Sequence, residues 1–267
     1  MLGSASANPS DHRFPTAFAL EADNRVYLLD CGAPVSTLFR TYGWRPSQLE
    51  RIFLTHFHPD HVAGLSPLIV QQLMEGRVSS LPIVGPPGTS RRIPALLELG
   101  FLFADHLAFP LPLENAAIGV AYGDYACEVS FFPTTHLSPV GDADALRSHP
   151  TEYVSYGMAV KTCGHTIIYS GDVGSIHDVE PYLRGCSLLI HEFGHVNPDE
   201  LAVMAEEQSV PALLVSHLHH NWTDRLPLLQ EIISSRYKGT VWLAHDGLTL
   251  AIQRGHPIHL STGSTSE

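Results

Sequence analysis

The stretch Thr55-His56-Phe57-His58-Pro59-Asp60-His61 decides how the chain is read. It follows the apolar run Arg51-Ile52-Phe53-Leu54 and precedes Val62-Ala63-Gly64-Leu65, as a strand does that ends in a loop and opens into a helix. Three imidazoles and one carboxylate lie within six residues, a donor set that suits a borderline-soft divalent ion such as zinc. His56 and His58, two apart at a strand end, can point the same way. Asp60 and His61 fall on the following turn and can face a second ion nearby. A lone His-x-His would suit a solvated turn. The full His-x-His-x-Asp-His after an apolar strand favours a metal-binding loop.

That stretch resembles the signature of the metallo-β-lactamase superfamily of hydrolases. The resemblance implies further donors at strand ends, in a set order. His136 ends Phe131-Phe132-Pro133-Thr134-Thr135-His136. Asp172 ends Thr166-Ile167-Ile168-Tyr169-Ser170-Gly171-Asp172, and His217 ends Ala212-Leu213-Leu214-Val215-Ser216-His217. By this resemblance His56, His58 and His136 bind one zinc. Asp60, His61 and His217 bind the other, and Asp172 bridges both around a shared water or hydroxide. Zinc is the expected ion, and the same donors also suit manganese or iron. The resemblance further implies a four-layer αββα sandwich with the metals at one edge between two sheets. Alternation of strands and helices alone implies only an α/β fold.

The chain has 267 residues and is 44% hydrophobic, which suits one large domain. We expect a single domain over residues 1–254 and a loose polar tail over 255–267. The formal charge is -12, from 27 acidic and 15 basic residues. Such a surface repels long polyanions, whose affinity rests on phosphate neutralisation, so no long nucleic acid is expected as a partner. A small phosphodiester steered by the metals is not excluded. Four widely spaced cysteines include no Cys-x-x-Cys pair, so a disulfide scaffold is not expected. Neither a signal-peptide pattern nor a membrane-length apolar run is visible, and the expected setting is cytoplasmic.

Several elements can be placed in order. Residues 2–7 are small and read as a tight turn. Residues 26–29 are a short apolar strand ending in Asp30-Cys31-Gly32. Residues 62–76 and 89–105 read as helices, and 106–127 has only weak periodicity. Residues 137–156 form a polar loop directly after His136, where loops often bind substrate. Arg147 and His149 on it are candidates to contact an anionic group.

The resemblance is closest to ribonuclease Z-type and phosphodiesterase members, and it implies supporting roles. Asp30 supports the metal loop from behind the ligands, as do His191 and Glu192. His195 donates a proton to the leaving group, and Asp60 orients or deprotonates the nucleophile. A histidine suits proton donation because its ordinary pKa lies near neutrality. Asp246 in Ala244-His245-Asp246-Gly247 is a structural support.

The chain departs from that family at two places. Asp172 lies only 36 positions after His136, too few for the long arm with which ribonuclease Z grips tRNA. An Arg often follows the last ligand, but here the sequence is His217-Leu218-His219-His220-Asn221-Trp222, leaving His219 or His220 as stand-ins. The leading expectation is thus a dinuclear hydrolase of a small or cyclic phosphodiester, using a metal-bridging hydroxide. A lactone, ester or thioester hydrolase on the same metals is the alternative, and a non-hydrolytic metal-binding or redox protein is the second. Members of this type are often homodimers.

Overall fold

Val26-Tyr27-Leu28-Leu29 is apolar at every position, the pattern of a strand covered on both faces. In the computed structural model, which describes residues 1–8, 11–138 and 153–261, these residues form β2 (Arg25–Leu29). β1 (Phe18–Ala22) lies antiparallel beside it through a two-residue turn. Asp23 and Asn24 make that turn with positive φ, a conformation their short polar side chains tolerate. β3 (Leu49–Phe53), β4 (Ile83–Gly85) and β5 (Leu113–Asn115) continue the sheet in parallel, in the order β1-β2-β3-β4-β5.

The second sheet begins as an antiparallel meander. It comprises β6 (Ala121–Gly123), β7 (Glu128–Thr134), β8 (Ser155–Thr162) and β9 (His165–Tyr169). Three parallel strands then join β9: β10 (Leu188–Phe193), β11 (Ala212–Leu218) and β12 (Thr240–Leu243).

Side chains alternate across these strands and so define the layers. Tyr27 and Leu29 of β2 face the space between the sheets, where they meet Phe131, Met158, Ile167, Ile190 and Leu214. Val26 and Leu28 face the other way, into a core shared with α1 (Val35–Thr41), α3 (Leu65–Met74) and α4 (Thr89–Glu98). On the second sheet Leu213 and Val215 face a third core, built with α5 (Pro198–Glu207) and α7 (Leu226–Arg236). The short α2 (Pro59–Val62) and α6 (His220–Thr223) sit at strand ends. The result is helices, sheet, sheet, helices, the expected αββα sandwich.

Local readings needed correction. The helix expected over 62–76 ends at Met74 as read but starts only at Leu65, because Val62 closes α2 and Gly64 turns its N–H to the Cys31 carbonyl at 2.8 Å. The helix expected over 89–105 stops at Glu98, and Phe101 takes a positive φ just beyond it. Residues 2–7 do not form a tight turn. They run beside Pro15, Ala17 and Leu218 as isolated bridges. The tail expected from 255 is tied down in its described part. β14 (His259–Leu260) pairs with β13 (Leu250–Ala251), and Ile258 is buried. Arg147 and His149 lie outside the described residues.

The Asp30-Cys31-Gly32 turn packs directly on the His-rich loop. A Cβ on Gly32 would press on the backbone oxygen of Asp60 and come within 2.7 Å of that of Thr16. Gly32→Ala should therefore destabilise the fold by about 1–3 kcal/mol, read as a lowered denaturant midpoint. An unchanged midpoint would show that this approach is looser than it looks.

Candidate metal centre

β3 ends at Phe53, and the chain then delivers Thr55, His56, His58, Asp60 and His61 to the sheet edge. Pro59 is suited to the first turn of α2, where its missing N–H costs nothing. His56, Asp60 and His61 are buried, and His58 is exposed. From the second sheet come His136 just after β7, Asp172 just after β9, and His217 within β11. All seven sequence candidates meet in one place.

They meet as two groups, and a third joins Asp172 and His217 to His195. The donor atoms of His56, His58, His136 and Asp172 lie within 4.8 Å of one another, and so do those of Asp60, His61 and His217. Asp172 stands between the groups. Its Oδ2 is 3.7 Å from His56 Nε2 and 3.5 Å from His136 Nε2. Its Oδ1 is 3.3 Å from His61 Nε2 and 3.5 Å from His217 Nε2. Asp60 Oδ2 lies 3.4 Å from His61 Nε2 and 3.9 Å from His217 Nε2.

The buried atoms facing this space lack protein partners. His56 Nε2, His61 Nε2, both oxygens of Asp60 and Asp172 Oδ1 are buried without a hydrogen bond among the described residues. A buried unsatisfied group costs about 1–3 kcal/mol, so five converging on one point call for a further group there. Imidazole and carboxylate lone pairs fit divalent cations.

Hydrogen bonds behind the site aim those lone pairs. Asp30 is fully buried and accepts from Thr55 N at 2.8 Å, Thr55 Oγ1 at 2.9 Å and Tyr169 Oη at 2.6 Å. It also accepts from His61 Nδ1 at 2.8 Å, so Nε2 is the nitrogen turned toward the cluster. The Thr55 hydroxyl spends its hydrogen on Asp30 and lies 3.0 Å from His56 Nδ1, so it accepts from that nitrogen. His56 is turned the same way. Such partners fix tautomer and ring orientation.

Burial and charge divide the imidazoles. Burial pushes His56 and His58 below the ordinary histidine value and His136 to about 4, which keeps their lone pairs free. Burial opposes charge on His61 too, but Asp172 and Asp30 outweigh it and hold His61 well above its ordinary value. Burial would raise Asp172, yet His217, His61 and His56 hold it well below the usual carboxylate range. Asp60 is likewise lowered against its burial, by His61 and His217.

The neighbouring candidates differ in what they reach. Buried Glu192 accepts from His195 N at 3.1 Å and pairs with His195 Nδ1 at 2.9 Å. That hydrogen bond raises the His195 pKa. The half-exposed His195 ring sits 4.8 Å from the His136 ring and 6.1 Å from that of His217, at the mouth of the cluster. His191 takes the opposite face of β10 by strand alternation. Its Nδ1 donates to the Glu192 carbonyl at 2.7 Å, and it belongs to neither donor group. His219 caps α6, with its ring 4.1 Å from that of His220, whose Nδ1 accepts from Asn8 at 2.6 Å.

The sequence reading missed Tyr169 and Asp178. Asp178 takes hydrogen bonds from Thr135 N at 2.8 Å and Gly174 N at 3.1 Å, fastening the loop of His136 to that of Asp172. Only a Tyr ending the strand before Ser-Gly-Asp hinted at the first, and nothing pointed to the second.

Replacing the hub carboxylate tests this support. Asp30→Asn offers amide hydrogens where four donors converge, and affinity for a divalent ion should fall about 10- to 100-fold. Chelator competition measures it, and wild-type affinity in the variant would refute the supporting role.

The family model described as "Beta-lactamase superfamily domain" matches residues 25–245. Ribonuclease Z of Methanothermobacter thermautotrophicus is 26% identical over 263 residues, spanning 81% of this chain and 85% of that protein. The metallo-β-lactamase fold protein YhfI of Bacillus subtilis superposes with a TM-score of 0.72 at 21% identity, over 92% of this chain and 95% of that one. A diphosphatase of the PhnP family superposes at 0.66 with 19% identity, over 94% and 96% of the two chains. With this match, this fold and these donor groups, the chain belongs to the β-lactamase superfamily, a family of hydrolases, in its metallo-β-lactamase form.

Proposed function

We propose that the chain is a dinuclear metal-dependent phosphodiesterase acting on a small or cyclic phosphodiester, with zinc as the working ion. The observation that carries this reading is the Glu192–His195 pair at the mouth of two donor groups divided by Asp172. Bound divalent cations supply a water of lowered pKa and positive charge for a substrate oxygen.

The chain's own residues do the rest. Asp60 has two oxygens without a protein partner beside the cluster, which suits it to orient a water or accept its proton. Glu192 accepts from His195 Nδ1, which leaves Nε2 to carry the proton given to a departing alkoxide. The hydrogen bond to Glu192 favours the charged imidazole, so the acid form persists toward neutral pH. His219 and His220, just past His217, are the candidates to meet a second phosphate oxygen. Relatives named as a ribonuclease Z and a diphosphatase support phosphorus chemistry, while the net charge of -12 disfavours a long polyanion. The interval after His136 is too short for a tRNA-gripping arm.

Zinc-loaded protein should hydrolyse bis(p-nitrophenyl) phosphate, and Asp172→Ala should abolish that turnover. A p-nitrophenolate leaves without a proton, whereas an alkoxide does not. His195→Ala should therefore cost about 100-fold or more in kcat on a phosphodiester with an alcohol leaving group, and far less on the p-nitrophenyl ester. Silence on every phosphodiester with turnover of a lactone or thioester would reject this function in favour of carboxylic ester chemistry.

A further inference from the structure

His217 does not continue its strand regularly. In the pairing of β10 with β11, Glu192 faces Ser216 and Phe193 faces Leu218, which leaves His217 as an extra residue between them. Its φ is +53°, an uncommon conformation for a residue with a Cβ. A bulge of this kind re-aims a side chain, here toward Asp172 and Asp60. Something must hold it there.

The holding groups come from the first 17 residues. Leu218 N donates to the Ser4 carbonyl at 2.9 Å, and Ser6 N donates to the Leu218 carbonyl at 3.3 Å. Those bonds dock the segment beside the bulge. Thr16, itself buried, then reaches the imidazole, with its Oγ1 2.7 Å from His217 Nδ1. The same hydroxyl donates to the carbonyl of buried Ala5 at 2.9 Å.

A hydroxyl has one hydrogen. A carbonyl can only accept, whereas an imidazole nitrogen can donate, so both short contacts are hydrogen bonds together only when the hydrogen points to Ala5. Toward His217 the Thr16 oxygen is then an acceptor, and the imidazole must carry its proton on Nδ1. The Nε2 lone pair is left facing Asp172 and Asp60. We propose that Thr16 is a positioning residue for His217: its hydroxyl selects the imidazole tautomer that presents Nε2 to the cluster. It does for His217 what Asp30 does for His61 and Thr55 does for His56. This rests on reading the cluster as a metal site, but the tautomer itself does not.

The test uses the full chain and three variants. Thr16→Val keeps the shape and removes the hydroxyl, and Thr16→Ser restores it. Thr16→Ala is read in the same way if the Val variant does not fold. Long-range 1H–15N spectra of the metal-free protein should show His217 protonated on Nδ1 in wild type and Thr16→Ser, and redistributed toward Nε2 in Thr16→Val. In chelator competition, the weaker of two zinc equivalents should lose about 10- to 100-fold in affinity in Thr16→Val and stay near wild type in Thr16→Ser. An unchanged tautomer and unchanged zinc affinities in Thr16→Val would overturn the proposal. Wild-type protein that took up no zinc would defeat the metal reading on its own account, and the spectra would still decide the role of Thr16.

Discussion

The candidate site depends on one buried carboxylate. Asp30 sits at the end of β2 with a φ of +59°, which an aspartate tolerates better than most residues. Its four donors come from the His-rich loop and from Tyr169 of the opposite sheet. An ionised carboxylate only accepts, so it meets every one of these N–H and O–H groups at once. It thereby sets the rotation of His61 directly and that of His56 through Thr55. It also joins the two sheets at the floor of the cluster, close to where Phe18 packs on Tyr169 with ring centres 4.9 Å apart.

What was legible in the sequence follows from this arrangement. Donors at strand ends leave a local mark, because a polar residue must follow an apolar run. Residues 56–61, His136, Asp172 and His217 were all found that way, with the family resemblance to order them. The layers were expected from the family resemblance alone, and continuous apolar strands such as 26–29, which need cover on both faces, agree with them. Contacts between residues far apart in the chain leave no such mark. Tyr169 reaches Asp30 across 139 positions, and Asp178 reaches Thr135 across 43. His191 was misjudged for a simpler reason. Its neighbour Glu192 takes the site-facing position of the strand, and alternation sends His191 to the other side.

Two of the chain's departures from regular structure lie at the site. Asp30 and His217 both take left-handed backbone conformations, and the strand pairing slips beside His217. Such residues cost of order 1–3 kcal/mol each and persist where the surroundings over-determine them. Here the surroundings are the docked segment at residues 3–6 and the hydrogen bonds to Asp30. Fold and site are therefore hard to separate in energy, since the same bonds serve both.

The donor groups also straddle the two sheets. His56, His58, Asp60 and His61 leave the end of one sheet, and His136, Asp172 and His217 leave the other. On the proposed reading, an ion held between them is a reversible cross-link closing the sandwich at its edge. Folded chain would bind it and unfolded chain would not, so stability would rise with free metal by mass action. At a hundredfold excess over the dissociation constant that linkage is worth about 2.7 kcal/mol. Metal supply would then govern how long the folded protein survives, as well as how fast it turns over.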